Sequence, residues 1–359
     1  LAAGGVSMDL VASPELARLA GDPRFASLLQ AMERNRAPIA RAEIVCELDA
    51  PGLLPEGIDL DRRRRRVVLG SFSTGQLVTA ALDGSTEELL PAGRLGGVAG
   101  IRVDPVRRVV WATSNSDGEG EGPPPAVVAV GLDSGDVVAR KELAAGAAPV
   151  LLNDLAVTPD GTVFVTETLQ GAVLRTCLAC PGLELLLRSD RLPLANGITT
   201  GGDGTTLYVA HAAGISRIDT TSGAEEWLAV PPGEVSVGAD GLYWHEGTLI
   251  AVQNQPFHDR IVRFWLDEAG ATILRTQILN GRHPGGMFHS TGFVLDGHFF
   301  FNGVAGGLPP PGGLEEQRTY LLTVPLGDPP HPPPANAFGS RHLAEPAATS
   351  CRLRGRPLP

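Results

Sequence analysis

Aromatic residues make up only 5% of the 359 residues, and there are four cysteines, three methionines and no excess of positive charge. Each scarcity excludes something. Four cysteines are too few to build a disulfide-dependent fold of this size. A formal net charge of -11 leaves no basic face to neutralise phosphates, so nucleic acid is not expected as a partner. The basic run Arg62–Arg66 lies between Asp61 and the apolar Val67-Val68-Leu69, where a solvated hairpin turn is the simpler reading. No apolar stretch reaches the roughly 18 to 20 residues of a membrane-spanning helix, and no basic-then-apolar signal is visible, so a soluble protein without membrane association is expected. The chain opens Leu1-Ala2-Ala3-Gly4-Gly5 without methionine, which leaves room for a removed leader and keeps the compartment open between cytoplasmic and exported.

What the chain has instead is glycine (45) and proline (30), the punctuation of many short strands and tight turns. One short pattern recurs: a polar or small residue, usually a glycine, then an apolar residue that opens a strand. It reads Glu56-Gly57-Ile58, Ala99-Gly100-Ile101, Asn153-Asp154-Leu155, Asn196-Gly197-Ile198, Asp240-Gly241-Leu242 and Thr291-Gly292-Phe293. Successive copies are spaced 43, 54, 43, 44 and 51 residues apart, and the first long interval holds the insertion Asp117–Pro125. A period near 43 fits a four-stranded propeller blade, since the 3.6-residue periodicity of a helical repeat is absent. Turn signals such as Pro159-Asp160-Gly161 and Gly202-Asp203-Gly204 then lead into Val163-Phe164-Val165 and Leu207-Tyr208-Val209, as in a meander.

The expected fold is therefore all-β, a six-bladed β-propeller over residues 42–340. A short helical N-terminal extension over 1–41 starts with Ser13 as cap and Pro14 in the first turn and packs outside the propeller; a C-terminal tail covers 341–359. Cys177 and Cys180 suit a hairpin-tip pair, free or disulfide-bonded, rather than zinc. Cys46 and Cys351 lie near the two ends, where a bridge would be compatible with closure of the ring.

In a propeller, equivalent positions of the innermost strands converge on one axis. The second position of the six copies reads Glu56, Ala99, Asn153, Asn196, Asp240 and Thr291. Any one Asn or Asp before glycine is explained by turn formation alone. Four carboxylate or amide side chains in one register instead call for a shared partner, because buried polar groups without partners are costly. An all-oxygen set with two negative charges suits a hard divalent cation, calcium before magnesium because calcium tolerates irregular shells. A second ring some 14 to 15 residues on contains Ser71, Ser114, Glu167 or Thr168, His211 and Asn254; His211, Asn254 and Glu167 are candidate substrate contacts. No nucleophile elbow, zinc helix, phosphate loop or dinucleotide fingerprint is present.

These residues, with Leu155-Ala156-Val157, Leu207-Tyr208-Val209-Ala210 and the ordered set Glu, Asn, Asn, Asp, resemble the senescence-marker-protein/gluconolactonase/luciferin-regenerating-enzyme family over roughly residues 50–325. The resemblance implies one divalent ion held by Glu56, Asn196 and Asp240. Asn153 would be a further ligand or substrate contact, and Asp240 would also act as general base. It implies a lactonase or esterase acting on a small molecule, and a monomer is expected. Members of the regucalcin type carry an arginine two residues before the first asparagine to hold sugar hydroxyls; here that position is Leu151, which implies a less polar substrate. The resemblance extends to strictosidine-synthase-like propellers, whose condensing glutamate has no counterpart here. The competing reading is a propeller that binds a ligand or a protein without catalysis, with calcium purely structural.

Overall fold

A computed structural model describes residues 2–6, 10–11, 13–19, 21–116, 123–143, 149–254, 260–282, 286–305 and 317–327. Among the described residues, alternating runs of β-branched residues and Gly-containing turns give 24 strands in six four-stranded antiparallel sheets. Blade 1 comprises β2 (Pro55–Asp61), β3 (Arg66–Ser71), β4 (Leu77–Ala80) and β5 (Thr86–Leu90). Blade 2 comprises β6 (Ile101–Asp104), β7 (Val109–Ser114), β8 (Ala126–Gly131) and β9 (Val137–Glu142). Blade 3 is β10 (Leu152–Val157), β11 (Val163–Glu167), β12 (Ala172–Thr176) and β13 (Glu184–Arg188). Blade 4 is β14 (Ile198–Thr200), β15 (Thr206–His211), β16 (Gly214–Asp219) and β17 (Glu225–Trp227). Blade 5 is β18 (Ala239–His245), β19 (Thr248–Gln253), β20 (Arg260–Leu266) and β21 (Ile273–Gly281). Blade 6 takes β22 (Gly292–Leu295), β23 (His298–Val304) and β24 (Thr319–Pro325) from late in the chain, and its outer strand is β1 (Glu43–Leu48). The pairing of β1 with β24, from Glu43 opposite Thr323 to Leu48 opposite Thr319, closes the ring. The chain is thus a six-bladed β-propeller.

Among the described residues the hydrophobic core of the propeller is divided into six parts, each lying between two neighbouring blades, and a seventh, smaller cluster of Leu10, Phe25 and Met32 lies in the N-terminal extension. Val68, Leu77 and Leu90 of blade 1 pack with Ile101, Val110 and Val128 of blade 2. Trp111 and Val127 meet Leu155 and Val165 in the next interface, and Leu249 and Phe264 meet Tyr208 and Ala210. The last gap is filled by Cys46, Leu48 and Leu321 of blade 6 against Ile58 and Leu69 of blade 1. A blade is covered on both faces, so β7, β8, β15 and β19 are buried along their whole length, with apolar centres and, in all but β8, buried polar residues at their ends.

The N-terminal extension contains α1 (Pro14–Ala17) and α2 (Pro23–Arg34). Ser13 does occupy the N-cap position of α1, but its hydroxyl bonds to the Glu15 carboxylate rather than to a backbone N–H. Asp22 caps α2 through the Arg24 N–H. The segment after α2 runs along blade 5, where Ile39 bridges Gly281 and the Asn280 Oδ1 accepts from the Arg41 and Ala42 N–H groups. Cys177 and Cys180 are disulfide-bonded in the β12–β13 connection. Cys351 and the tail 341–359 lie outside the described residues. Among the described residues no helix is long and apolar enough to cross a membrane.

The glycines of the repeat serve close approach rather than turning. None of Gly57, Gly100, Gly197 and Gly241 adopts the left-handed conformation. A Cβ on Gly197 would lie 2.1 Å from the Asp240 carbonyl oxygen, and one on Gly100 would lie 2.3 Å from that of Asn153. The inner strand of one blade is therefore pressed onto the backbone of the next. Gly197→Ala should destabilise the protein by about 1–3 kcal/mol or more. Gly182→Ala, where a Cβ would meet nothing within 4 Å, should be nearly neutral; urea unfolding of the two variants checks this.

Candidate functional site

Six inner strands, β2, β6, β10, β14, β18 and β22, surround the axis, and the repeat residues stand at or just before their N-terminal ends. Three of these strands are bulged at the repeat residue itself. The pairing shifts between Pro55 and Gly57, between Leu152 and Leu155, and between Ala239 and Leu242. A bulge sets two residues against one and re-aims a side chain. Here the extra residues fall at Glu56, at Asn153-Asp154 and at Asp240-Gly241.

The ring brings Glu56, Asn196, Asp240 and Asn254 into one cluster. Asp240 Oδ2 accepts from Asn254 Nδ2 at 2.6 Å, and its carboxylate also accepts from Asn196. Burial pushes Glu56 up to about 8, with the facing Asp240 carboxylate adding to the effect and Ser290 opposing it. Burial likewise pushes Asp240 up to about 6, opposed by its bonds from Asn254 and Asn196. Both side chains remain partly open to solvent. Neither carboxylate meets a cationic side chain among the described residues. Asn254 Nδ2 also donates to the His289 carbonyl at 2.9 Å, so both neighbours of this nitrogen are acceptors and the amide orientation is fixed. Its Oδ1 is buried and takes no hydrogen bond from the described residues. A buried acceptor without a donor, beside two carboxylates without a cation, is the arrangement a hard metal ion satisfies. Among the described residues no three His, Cys, Asp or Glu side chains form a metal-binding group, so such an ion would rest on two carboxylates and neighbouring amide oxygens.

The remaining candidates are placed differently. Asn153 stands in the same ring, but its Nδ2 donates to Thr168 Oγ1 at 3.0 Å, and Thr168 in turn donates to the Ala195 carbonyl. Glu167 uses its carboxylate on the N–H groups of Leu151, Leu169 and Gln170, closing the turn after β11. His211 is 1% exposed and tilted against Trp227. Its Nδ1 accepts from the Ala213 N–H, and its Nε2 meets Ser216 Oγ, which donates to Glu225. Burial pushes this imidazole down to about 4. His211 and Glu167 thus form no bond with the Glu56–Asp240 cluster, whereas Asn254 is bonded to it directly.

Further along the inner strands lies a charged plug absent from the sequence reading. Arg102 Nη2 meets the two Asp154 oxygens at 3.2 and 3.3 Å, its Nε donates to the Leu155 carbonyl, and its guanidinium sits over the Tyr243 ring. Asp154 also accepts from the Ile198 N–H of the next blade, as Asp59 does from that of Val103. Burial raises Asp59 and Asp154, and Arg102 opposes the rise. The one sequence signal was Asp154 itself, standing where the other copies have glycine. Beyond the plug, a cavity of about 340 Å³ lined by Asp59, Arg102, Thr199, Tyr243, Trp244 and Phe293 opens at the other end of the inner strands.

No family model and no curated protein matches the chain. Solved structures do. The Malassezia sympodialis allergen Mala s 1 aligns at 12% identity and TM-score 0.61, covering 82% of this chain and 99% of the allergen. A glucose dehydrogenase aligns at 13% and 0.58, covering 79% and 98%. XC5397, a gluconolactonase from Xanthomonas campestris, aligns at 17% and 0.52, covering 80% and 89%. At these identities the likeness is one of fold.

Without a cation, Glu56 ionises in the folded chain only near pH 8, against an ordinary value of 4.5. The native state then holds a proton that the unfolded chain has lost, so stability falls as pH rises between those values, by at most about 1.4 kcal/mol per pH unit. Chelator-stripped protein should unfold at lower urea at pH 8 than at pH 5. Glu56→Gln should flatten the trend, which parallel urea titrations of both proteins would read.

Proposed function

We propose that the chain is a divalent-cation-dependent hydrolase of small lactones or esters, built on the plan of the gluconolactonase-type propellers it resembles, with calcium as the cation. The observation that carries this reading is the Glu56–Asn196–Asp240–Asn254 cluster, two carboxylates without a cationic partner beside an orphaned amide oxygen. The likeness in fold to a gluconolactonase agrees with it. Glu56, Asn196 and Asp240 would hold the ion, with Asn153 as a further ligand or a substrate contact. The ion, when bound, supplies Lewis acidity toward an ester carbonyl.

The chain's own residues supply the proton transfers. Asn254 Nδ2 fixes one oxygen of Asp240, leaving the other oxygen of this partly shielded carboxylate at the channel. That carboxylate takes a proton from water as the water oxygen bonds to the acyl carbon. The acyl–oxygen bond then breaks, and the proton passes to the departing alkoxide, so that a lactone opens to its hydroxy acid.

Asp240→Asn should lower kcat on the best lactone or aryl ester by about 10²–10⁴-fold. Asn254→Ala, which frees the Asp240 oxygen, should lower it by about 10–100-fold. Chelator-stripped protein should regain hydrolysis when calcium is added back. Calcium that raises the melting temperature while a lactone and ester panel stays silent would overturn the hydrolase reading in favour of a binding propeller.

A further inference from the structure

The positions two residues before the ring, where the chain enters each inner strand, are Leu54, Gly97, Leu151, Leu194, Gly238 and His289. Blades 1, 3 and 4 thus present leucine just ahead of Glu56, Asn153 and Asn196. Two of these leucines have left-handed backbones, with φ of 44° at Leu54 and 53° at Leu194. Glycine takes this conformation at Gly238 without strain (φ 77°), whereas a bulky side chain is a rare occupant. Leu194 is moreover 56% exposed, so core packing does not account for its being leucine. Strain retained beside a polar cluster is a pointer to function.

The second strands extend the apolar surface at the same end. The Leu54 carbonyl accepts from the N–H of Phe72, which is 40% exposed, and the Leu151 carbonyl accepts from Thr168, whose successor Leu169 is 50% exposed. Single exposed apolar residues are ordinary, but Phe72, Leu169 and Leu194 are exposed at the ends of these strands and Leu54 and Leu151 are partly exposed beside them, an apolar lining that favours an apolar ligand.

We infer that Leu54, Leu151 and Leu194, flanked by Phe72 and Leu169, form an apolar collar that selects lactones or esters bearing an alkyl chain over polyhydroxylated ones. This rests on the hydrolase reading for the reaction, while the selection itself is a matter of binding. Each methylene that the collar removes from water should tighten binding by up to about fourfold. Leucine at a left-handed position should also be replaceable by glycine without loss of fold.

The test is calorimetric titration of calcium-loaded protein with 2-alkylcyclopentanones of four- to eight-carbon chains, which present the carbonyl without a bond to hydrolyse, alongside turnover of γ-alkyl lactones and gluconolactone. Affinity should rise with each methylene in the wild type. In the variant carrying Leu54→Gly, Leu151→Ala and Leu194→Gly the rise should flatten, and single Leu194→Gly should keep or raise the melting temperature while weakening the trend. No binding of the ketones, no chain-length trend, or a trend unchanged in the triple variant would overturn the collar even if lactones are hydrolysed. A chain-length trend that flattens in the triple variant, with no lactone turnover, would uphold the collar and remove the hydrolase reading instead.

Discussion

The inner strands of this propeller approach one another so closely that side chains are excluded from much of the contact, and the rest of the structure depends on that approach. At Gly100 and Gly197 the next blade's carbonyl occupies the space a Cβ would need. Because the backbones are in contact, residues one position earlier in each strand are carried to within bonding reach across blades, as Asn196 and Asp240 are. Bulges at Glu56, Asn153 and Asp240 then turn individual side chains at the axis. Packing of apolar blade faces supplies the cohesion, and the pairing of β1 with β24 prevents the ring from opening at its seam.

The same geometry makes the axis an expensive place for charge, and the protein meets that cost in two ways. Toward the middle of the inner strands, Asp59 and Asp154 are compensated internally by Arg102 and by backbone N–H groups. At the strand entrances, Glu56 and Asp240 face each other with no such cation. Among the described residues, one carboxylate pair is compensated by a cation of the chain itself and the other is not. This contrast distinguishes the entrance cluster from the plug, although both are acidic groups on one axis.

Much of the architecture was legible because it is periodic. The spacing near 43 residues, the Asp-Gly turns and the apolar runs are local properties, repeated often enough that one misread copy does not obscure the rest. The second ring was less legible, since a position 14 or 15 residues downstream depends on the length of the intervening hairpin. Asn254 falls beside Asp240, whereas Glu167 is drawn into a turn and His211 into a hydrogen-bonded chain with Ser216 and Glu225. All three are polar residues at the ends of second strands, and the sequence around them does not separate their roles.

By itself, the sequence determined the number of blades, the register of the inner strands and the oxygen-bearing residues of the first ring, because strand register and turn chemistry are set by neighbours in the chain. Only the tertiary structure decided what those residues meet. It decided that Asn153 bonds to Thr168, that Arg102 lies between acids of two other blades, that the repeat glycines serve contact rather than turning, and that strained leucines stand at the entrance. Each of these depends on the distance between backbones far apart in sequence, which closure of the ring imposes and no local pattern encodes.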